Sequence, residues 1–280
     1  MTSSSRASAW VESPLQLICA VEYAALAGIP LRIVPRAGAA QLGATAERLR
    51  ELGLPQGVEI AAPRAVPAIA GSHAVIGDAF SGRVQSAMAV RMPRRLTIVD
   101  DGSASLALPA ALGGTRPLSR TVVATRISRL TRARLTDLDR VGDLELFSYY
   151  RLQHPAWIPN RFAWLASRAV TGRSGGSVVL GSAGVVDGLM DEAAYLGWLA
   201  THPAGASYLP HRRESRSTID AAARLGLDVV ESGLPVELSL LGSRELAIST
   251  LPSSAVDTLR ILLGPAGSSI RLEPSMARAA

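Results

Sequence analysis

The stretch Arg95-Leu96-Thr97-Ile98-Val99-Asp100-Asp101-Gly102-Ser103 decides the fold class. A short apolar run rich in β-branched residues reads as a buried strand, and it stops abruptly on two carboxylates and a glycine. A strand that ends on a polar turn is what a parallel α/β sheet places at its ligand-binding edge. The pattern repeats on the N-terminal side. Ala7–Val11 reads as a strand closed by Glu12-Ser13-Pro14, and Leu15–Ala27 has helical spacing and stops at Gly28. Pro30–Val34 is a second strand, Ala44–Leu52 a helix, Gly57–Ile60 and His73–Ile76 further strands, and Ser81–Ala89 a helix. Strands alternating with helices imply βαβ units and a mostly parallel sheet.

Towards the C-terminus the pattern loosens between Pro109 and Pro159, which reads as an excursion and a crossover between two lobes. Gly172–Ser177 is a flexible punctuation point. A second alternation follows: strand Val178–Leu180, helix Asp187–Ala200, strand Ser207–Leu209, helix Ser217–Leu225, strand Val229–Glu231, short helix Val236–Leu241, strand Leu246–Ser249 and a helix or helix–strand segment Ser254–Leu263. The expected fold is α/β with two Rossmann-like lobes, residues 1–165 and 166–280. A single doubly wound sheet with insertions fits the same pattern.

Composition narrows the class. Of the 280 residues 48% are hydrophobic and 19% charged, a globular balance. Aromatics make up 4%, so the core rests on Ala, Leu, Val and Ile. No apolar run approaches the roughly 18 residues of a spanning helix, and Met1–Ala9 shows no signal peptide. Cys19 is the only cysteine, which excludes an intrachain disulfide and a thiolate metal cluster; its apolar surroundings suit a small buried residue. A cytoplasmic location is expected. The net charge of +6 is carried entirely by arginine. Guanidinium suits phosphate and carboxylate ligands, so the charge fits an anionic nucleotide donor, an acidic glycan or peripheral association with a membrane surface. The basic residues are scattered and do not alternate with aromatics, so a nucleic-acid partner is not expected.

Six polar clusters stand at strand ends: Ser13-Pro14-Leu15-Gln16, Gly77-Asp78, Asp100-Asp101-Gly102-Ser103, Gly181-Ser182, His211-Arg212-Arg213-Glu214 and Ser253-Ser254. Adjacent carboxylates at Asp100 and Asp101 repel, which raises one pKa and fits a general base; an Asp-Asp-Gly turn is the plainer alternative. His211 beside Arg212 and Arg213 suits a phosphate, and a surface histidine among solvated arginines is the alternative there. Backbone N–H groups at Gly181-Ser182 can meet an anion, although the stretch lacks a complete glycine-rich fingerprint. Ser253-Ser254 suits an anion at a helix start or a simple N-cap. No metal-ligand spacing is present, so no metal and no cofactor are expected.

Read together, VESPLQLICAVEY (Val11–Tyr23), IVDDGSAS (Ile98–Ser105), YLPHRRES (Tyr208–Ser215), GLPVELSLL (Gly233–Leu241) and LPSSAVDTL (Leu251–Leu259) resemble the bacterial sialyltransferases, especially the lipooligosaccharide sialyltransferases and the capsular polysialyltransferases. The resemblance implies a GT-B fold and an inverting, metal-independent transfer of sialic acid or a related nonulosonic acid from a CMP-activated sugar to a glycan acceptor. It implies an acceptor-side N-terminal lobe and a donor-binding C-terminal lobe. Asp100 would be the general base beside Asp101 and Gly102. His211 would bind or protonate the CMP phosphate; on their own residue chemistry Gly181, Ser182 and Arg213 are expected to bind the donor as well. Glu237 would hold the ribose hydroxyls, and Ser253 and Ser254 the donor phosphate or carboxylate. Ser13 and Gln16 would line the cleft. Arg212 stands where the family's motif has proline. A GT-B enzyme using another nucleotide sugar, and a catalytically silent nucleotide- or glycan-binding protein, are the competing readings.

Overall fold

The computed structural model describes residues 6–39, 41–67, 69, 71–120, 125–170 and 172–274. The chain divides into two compact units, Met1–Arg168 and Ala169–Ala280. Each is α/β, built on its own parallel sheet.

The first unit opens with strand β1 (Ala7–Val11) and helix α1 (Pro14–Ala27). Ser13 starts that helix: its backbone is extended, its hydroxyl accepts from the N–H of Gln16, and Pro14 takes the first-turn position that needs no donor. Then come β2 (Leu31–Pro35), α2 (Leu42–Glu51), β3 (Val58–Ile60), β4 (His73–Ile76), α3 (Gly82–Val90) and β5 (Arg95–Val99). After a 3-10 turn at Ala104–Ala107 follow α4 (Leu108–Leu112), α5 (Arg126–Arg140), β6 (Leu144–Ser148), β7 (Trp157–Pro159) and α6 (Ala163–Ser167).

Among the described residues these strands form a seven-stranded sheet in the order β3-β2-β1-β4-β5-β6-β7, with every pairing parallel. Strand residues alternate between faces. Trp10, Val34, Ile76, Leu96 and Leu146 pack with Val84 and Met88 of α3, Leu108 and Leu112 of α4 and Leu135 of α5. The intervening residues Ala9, Ile33, Val75 and Phe147 are equally buried and serve the opposite face. There α1 packs against α2 and α6. Cys19, in α1, is fully buried.

The region expected as a loose crossover, Pro109–Pro159, instead contains α5, β6 and β7 and belongs to the first unit. Its helix α5 carries no apolar stripe that would announce it: Ser128 and Thr131 are buried beside Leu135, while Ile127 and Leu130 are exposed. Strand β7 is at the sheet edge, where Pro159 costs no ladder hydrogen bond.

The second unit contains β8 (Ser177–Leu180), α7 (Glu192–Leu199), β9 (Ser207–Leu209), α8 (Arg216–Arg224), β10 (Asp228–Val229), α9 (Val236–Ser239), β11 (Ala247–Thr250), α10 (Ala255–Leu263) and β12 (Ser269–Leu272). Its five-stranded parallel sheet runs β10-β9-β8-β11-β12 among the described residues. Helix α7 begins five residues later than its apolar spacing suggests. Asp191 is the true cap, its carboxylate accepting from Ala194 N at 3.1 Å. Strand β12 was not among the expected strands: Ser269-Ile270-Arg271-Leu272 alternates polar and apolar residues, but over four positions only, and all but Ile270 are exposed.

In both sheets the order reverses beside the first strand, between β1 and β4 and between β8 and β11. These are topological switch points, where the crevice at the carboxyl edge opens in doubly wound folds. Among the described residues no helix is long and apolar enough to cross a membrane.

Candidate functional site

The carboxyl edge of the first unit gathers three strand ends. Glu12-Ser13 follows β1, Gly77-Asp78 follows β4 and Asp100-Asp101 follows β5. Gln16, on the first turn of α1, folds back over the switch point and accepts from Glu12 N at 2.7 Å. A Cβ on residue 77 would lie 2.1 Å from the Gln16 carboxamide, so glycine there is what lets Gln16 fill the crevice. Ser13 Oγ donates to Asp101 Oδ1 at 3.3 Å, and Gln16 also hydrogen-bonds Asp101. One guanidinium nitrogen of Arg120 donates to Asp78 Oδ2 at 2.6 Å and to Asp101 Oδ2 at 3.1 Å. Asp78 is further fixed by Phe80 N, which donates to Oδ1 at 2.7 Å.

The two adjacent acids have different surroundings. Asp100 is fully buried, accepting from Ser148 Oγ at 2.6 Å and Tyr149 N at 2.7 Å. It therefore ties the end of β5 to the end of β6. Burial pushes its pKa to about 7, against the hydrogen bonds that favour the ionised form. Asp101 keeps a fifth of its side chain exposed. Burial and then the charge of Asp78 raise its pKa, while Gln16, Arg120 and Ser13 hold it back. Gly102 turns the chain into the 3-10 segment at φ +63°.

The carboxyl edge of the second unit is built around Glu214. Its Oε1 accepts from Tyr195 at 2.8 Å and Tyr208 at 2.5 Å, and its Oε2 from the backbone N–H of His211. Burial raises the Glu214 pKa, and those same donors oppose the shift. Gly181 sits against this knot: a Cβ there would meet Glu214 Oε2 at 2.1 Å and His211 N at 2.5 Å. The expected anion cradle at Gly181-Ser182 is already spent within the protein. Gly181 N donates to Leu209 O at 2.8 Å, Ser182 N to Tyr195 Oη at 3.1 Å and Gly184 N to Ser182 Oγ at 3.1 Å. No helix follows directly either, since α7 starts at Glu192.

His211 is partly buried in the turn after β9. Its Nδ1 accepts from Arg213 N at 3.2 Å. That bond places the proton of the neutral ring on Nε2, which has no protein partner among the described residues. Burial, then the charges of Arg212 and Arg213, lower the His211 pKa. The ring is thus a neutral N–H donor at neutral pH. Arg213 makes a two-pronged pair with Asp187 at 2.8 and 2.6 Å, so its guanidinium is engaged, while Arg212 is exposed.

The remaining expected residues lie on other elements of the second unit. Glu237, on α9, is buried and accepts from Thr258 Oγ1 of α10 at 2.7 Å; burial raises its pKa. Ser253 and Ser254 follow β11 at the start of α10. Ser253 Oγ accepts from Ala255 N at 3.3 Å, and Ser254 makes no side-chain cap bond. Among the described residues no hydrogen bond joins Glu237 or these serines to His211.

Every expected cluster therefore follows a strand on a carboxyl edge, and Ser13, Gln16 and Asp101 are drawn together around one carboxylate. The expected Asp78 joins that group through Arg120, which the structure adds together with Ser148 and Tyr149 beneath it. The structure also adds Tyr195 and Tyr208 behind His211. None of these additions carries a spacing signal: each reaches its partner through strand register or a loop. Among the described residues no group of three His, Cys, Asp or Glu side chains is arranged to hold a metal ion. No protein-family model matches the chain, and no curated protein matches it.

Proposed function

We propose that the protein is an inverting glycosyltransferase of GT-B type that moves an acidic nonulosonic sugar from its CMP derivative to a glycan hydroxyl. The observation that carries the reading is Asp101. It is a partly exposed carboxylate at the edge of a doubly wound sheet, held by Ser13 and Gln16, with its pKa raised by burial and by Asp78. A carboxylate so poised takes a proton from an attacking hydroxyl. The sequence pointed to Asp100 for that role. Full burial and two internal donors make Asp100 a positioning group instead, one that sets the turn from which Asp101 projects.

In this reading the acceptor O–H proton passes to Asp101 as the acceptor oxygen bonds to the anomeric carbon. The bond from that carbon to the phosphate oxygen breaks, and CMP departs with the electron pair. The second unit carries a donor of its own, the Nε2–H of His211, whose chemistry suits the oxygens of a phosphate. Two parallel sheets, each with a switch point, fit a nucleotide-handling protein of this class.

Donor screening tests the reading. A thermal shift with CMP and none with UDP or GDP, together with transfer from a CMP-nonulosonate, is the expected result. A shift with UDP or GDP alone would move the protein to another nucleotide-sugar class. CMP binding without transfer to any acceptor would leave a silent binding protein.

A further inference from the structure

Beyond the carboxylate cluster, the first unit holds a cavity of about 320 Å³ between the segment 114–118 and the first two turns of α5. We propose that this pocket binds a multiply charged oxyanion of the phosphate type. Arg116, Arg129 and Arg132 all line it, with Thr115 and Ser128, and no acidic residue does. Arg129 and Arg132 stand three apart on one helix face, so their side chains point the same way. Arg116 faces them from the loop.

None of the three guanidinium groups makes an ion pair or a hydrogen bond among the described residues. Arg48, Arg140, Arg213 and Arg216 elsewhere on the surface are all paired with carboxylates. Three like charges around one cavity repel, and a ligand with several anionic oxygens relieves all three at once. The helix end contributes little, because Thr125 Oγ1 already accepts from Ser128 N at 3.0 Å and Ser128 Oγ donates back to Thr125 O at 2.9 Å.

The walls are fixed in advance. Leu118 is buried, and its carbonyl accepts from the buried Gln85 Nε2 at 2.8 Å. Gly114 lets Arg132 lie against the backbone: a Cβ there would stand 2.4 Å from Arg132 Nη1. Two residues beyond Leu118, Arg120 reaches Asp78 and Asp101, so one loop serves both the pocket and the carboxylate cluster. The oxyanion can come from a phosphorylated glycan or from an anionic lipid headgroup. The assignment does not depend on the transfer reading.

Calorimetric titration of the full chain with sodium pyrophosphate tests it. The variant R116Q/R129Q should lose at least tenfold in affinity, while R126Q, on the same helix but outside the pocket, stays within twofold of the parent. His211→Ala should also stay within twofold, which separates this pocket from the proposed CMP site. Circular dichroism and melting temperature check that each variant is folded. Equal affinity of the parent and R116Q/R129Q, or an equal loss in R126Q, or no pyrophosphate binding by the parent, would overturn the assignment. Co-sedimentation with vesicles containing phosphatidic acid, lost in R116Q/R129Q, identifies a headgroup as the source; pyrophosphate binding without co-sedimentation identifies a soluble phosphate.

Discussion

Asp100 and Asp101 share a peptide bond and almost nothing else. Asp100 points into the protein and meets Ser148 and Tyr149, whereas Asp101 points along the sheet edge towards Ser13, Asp78 and Arg120. Substituting them should separate their roles. Asp101→Asn is expected to cut transfer at least a hundredfold with the melting temperature nearly unchanged, because its partners are part-exposed. Asp100→Ala leaves a buried hydroxyl and a buried N–H without an acceptor, at about 1–3 kcal/mol for each unsatisfied group, and is expected to lower the melting temperature by several degrees. A kinetic defect in Asp100→Ala with no loss of stability would reverse the two assignments.

Two buried carboxyls also set the pH response of stability. Asp100 and Glu22 titrate at about 7 in the folded protein, against 3.8 and 4.5 for the free groups, in each case chiefly because burial disfavours the charge. Glu22 nevertheless receives Trp164 N at 3.1 Å and Leu165 N at 2.6 Å, holding the start of α6. Between the free and folded values the folded state binds more protons than the unfolded state, so stability falls as pH rises. The contribution is complete below about pH 4 and lost by passage through pH 7. Melting temperatures measured at pH 5 and pH 8 should therefore drop with pH, and Asp100→Asn should flatten the drop. A rise over that interval would contradict the buried-acid account.

At the scale of elements, two glycines govern how closely loops approach at the two carboxyl edges. Gly77 admits Gln16 between β1 and β4, and Gly181 admits the turn after β9 against β8. The second is the less forgiving, because its neighbours include the backbone of Pro210 and His211 as well as the Glu214 carboxylate. Gly181→Ala should displace that turn, cost about 1–3 kcal/mol and weaken CMP binding at least tenfold, as read by melting and by thermal shift. Gly77→Ala pushes aside a carboxamide, so a smaller loss of stability is expected there. Unchanged CMP affinity in Gly181→Ala would detach His211 from the donor.

The strands and helices that precede these turns were legible from short apolar runs and from caps such as Ser13 and Gly28, because β1, β4 and β5 are buried on both faces and read as continuous apolar segments. Helix α5 was not legible, since its buried positions include Ser128 and Thr131 while Ile127 and Leu130 face out, and β12 was not, since its alternation spans only the four residues Ser269–Leu272. For the site, the clusters stood out as polar breaks after strands. Arg120, Ser148 and Tyr195 did not, because nothing local to any of them points to Asp101, Asp100 or Glu214.

At the scale of the molecule, each sheet of the two units closes its core within its own residues. Residues 1–168 and 169–280 expressed separately should each unfold cooperatively, and the CMP response should follow the second fragment. A non-cooperative melt for either would show that the cores are interdependent. The larger sheet also treats its two edges differently. At its amino edge Glu145 Oε2 accepts from Tyr23 at 2.5 Å and Thr97 at 2.9 Å, and His73 Nε2 lies 2.9 Å from the Thr97 hydroxyl. That network satisfies its own members and stitches strands to α1. At the carboxyl edge Asp78 and Asp101 converge on a single, mostly exposed arginine.

The sequence by itself determined that the chain alternates strand and helix, that polar clusters follow the strands, and that Asp100-Asp101 and His211 stand among them. Those features are local: apolar run length, cap residues and the residues that stop a strand. Only the tertiary structure decided which of two neighbouring carboxylates is buried and which faces out, because that depends on β6 lying beside β5 and offering Ser148 and Tyr149 to Asp100. The same dependence on register turned Gly181-Ser182 from an open cradle into a satisfied turn. It also set Arg116, in a loop, against Arg129 and Arg132 of α5 around one cavity that no acidic residue lines.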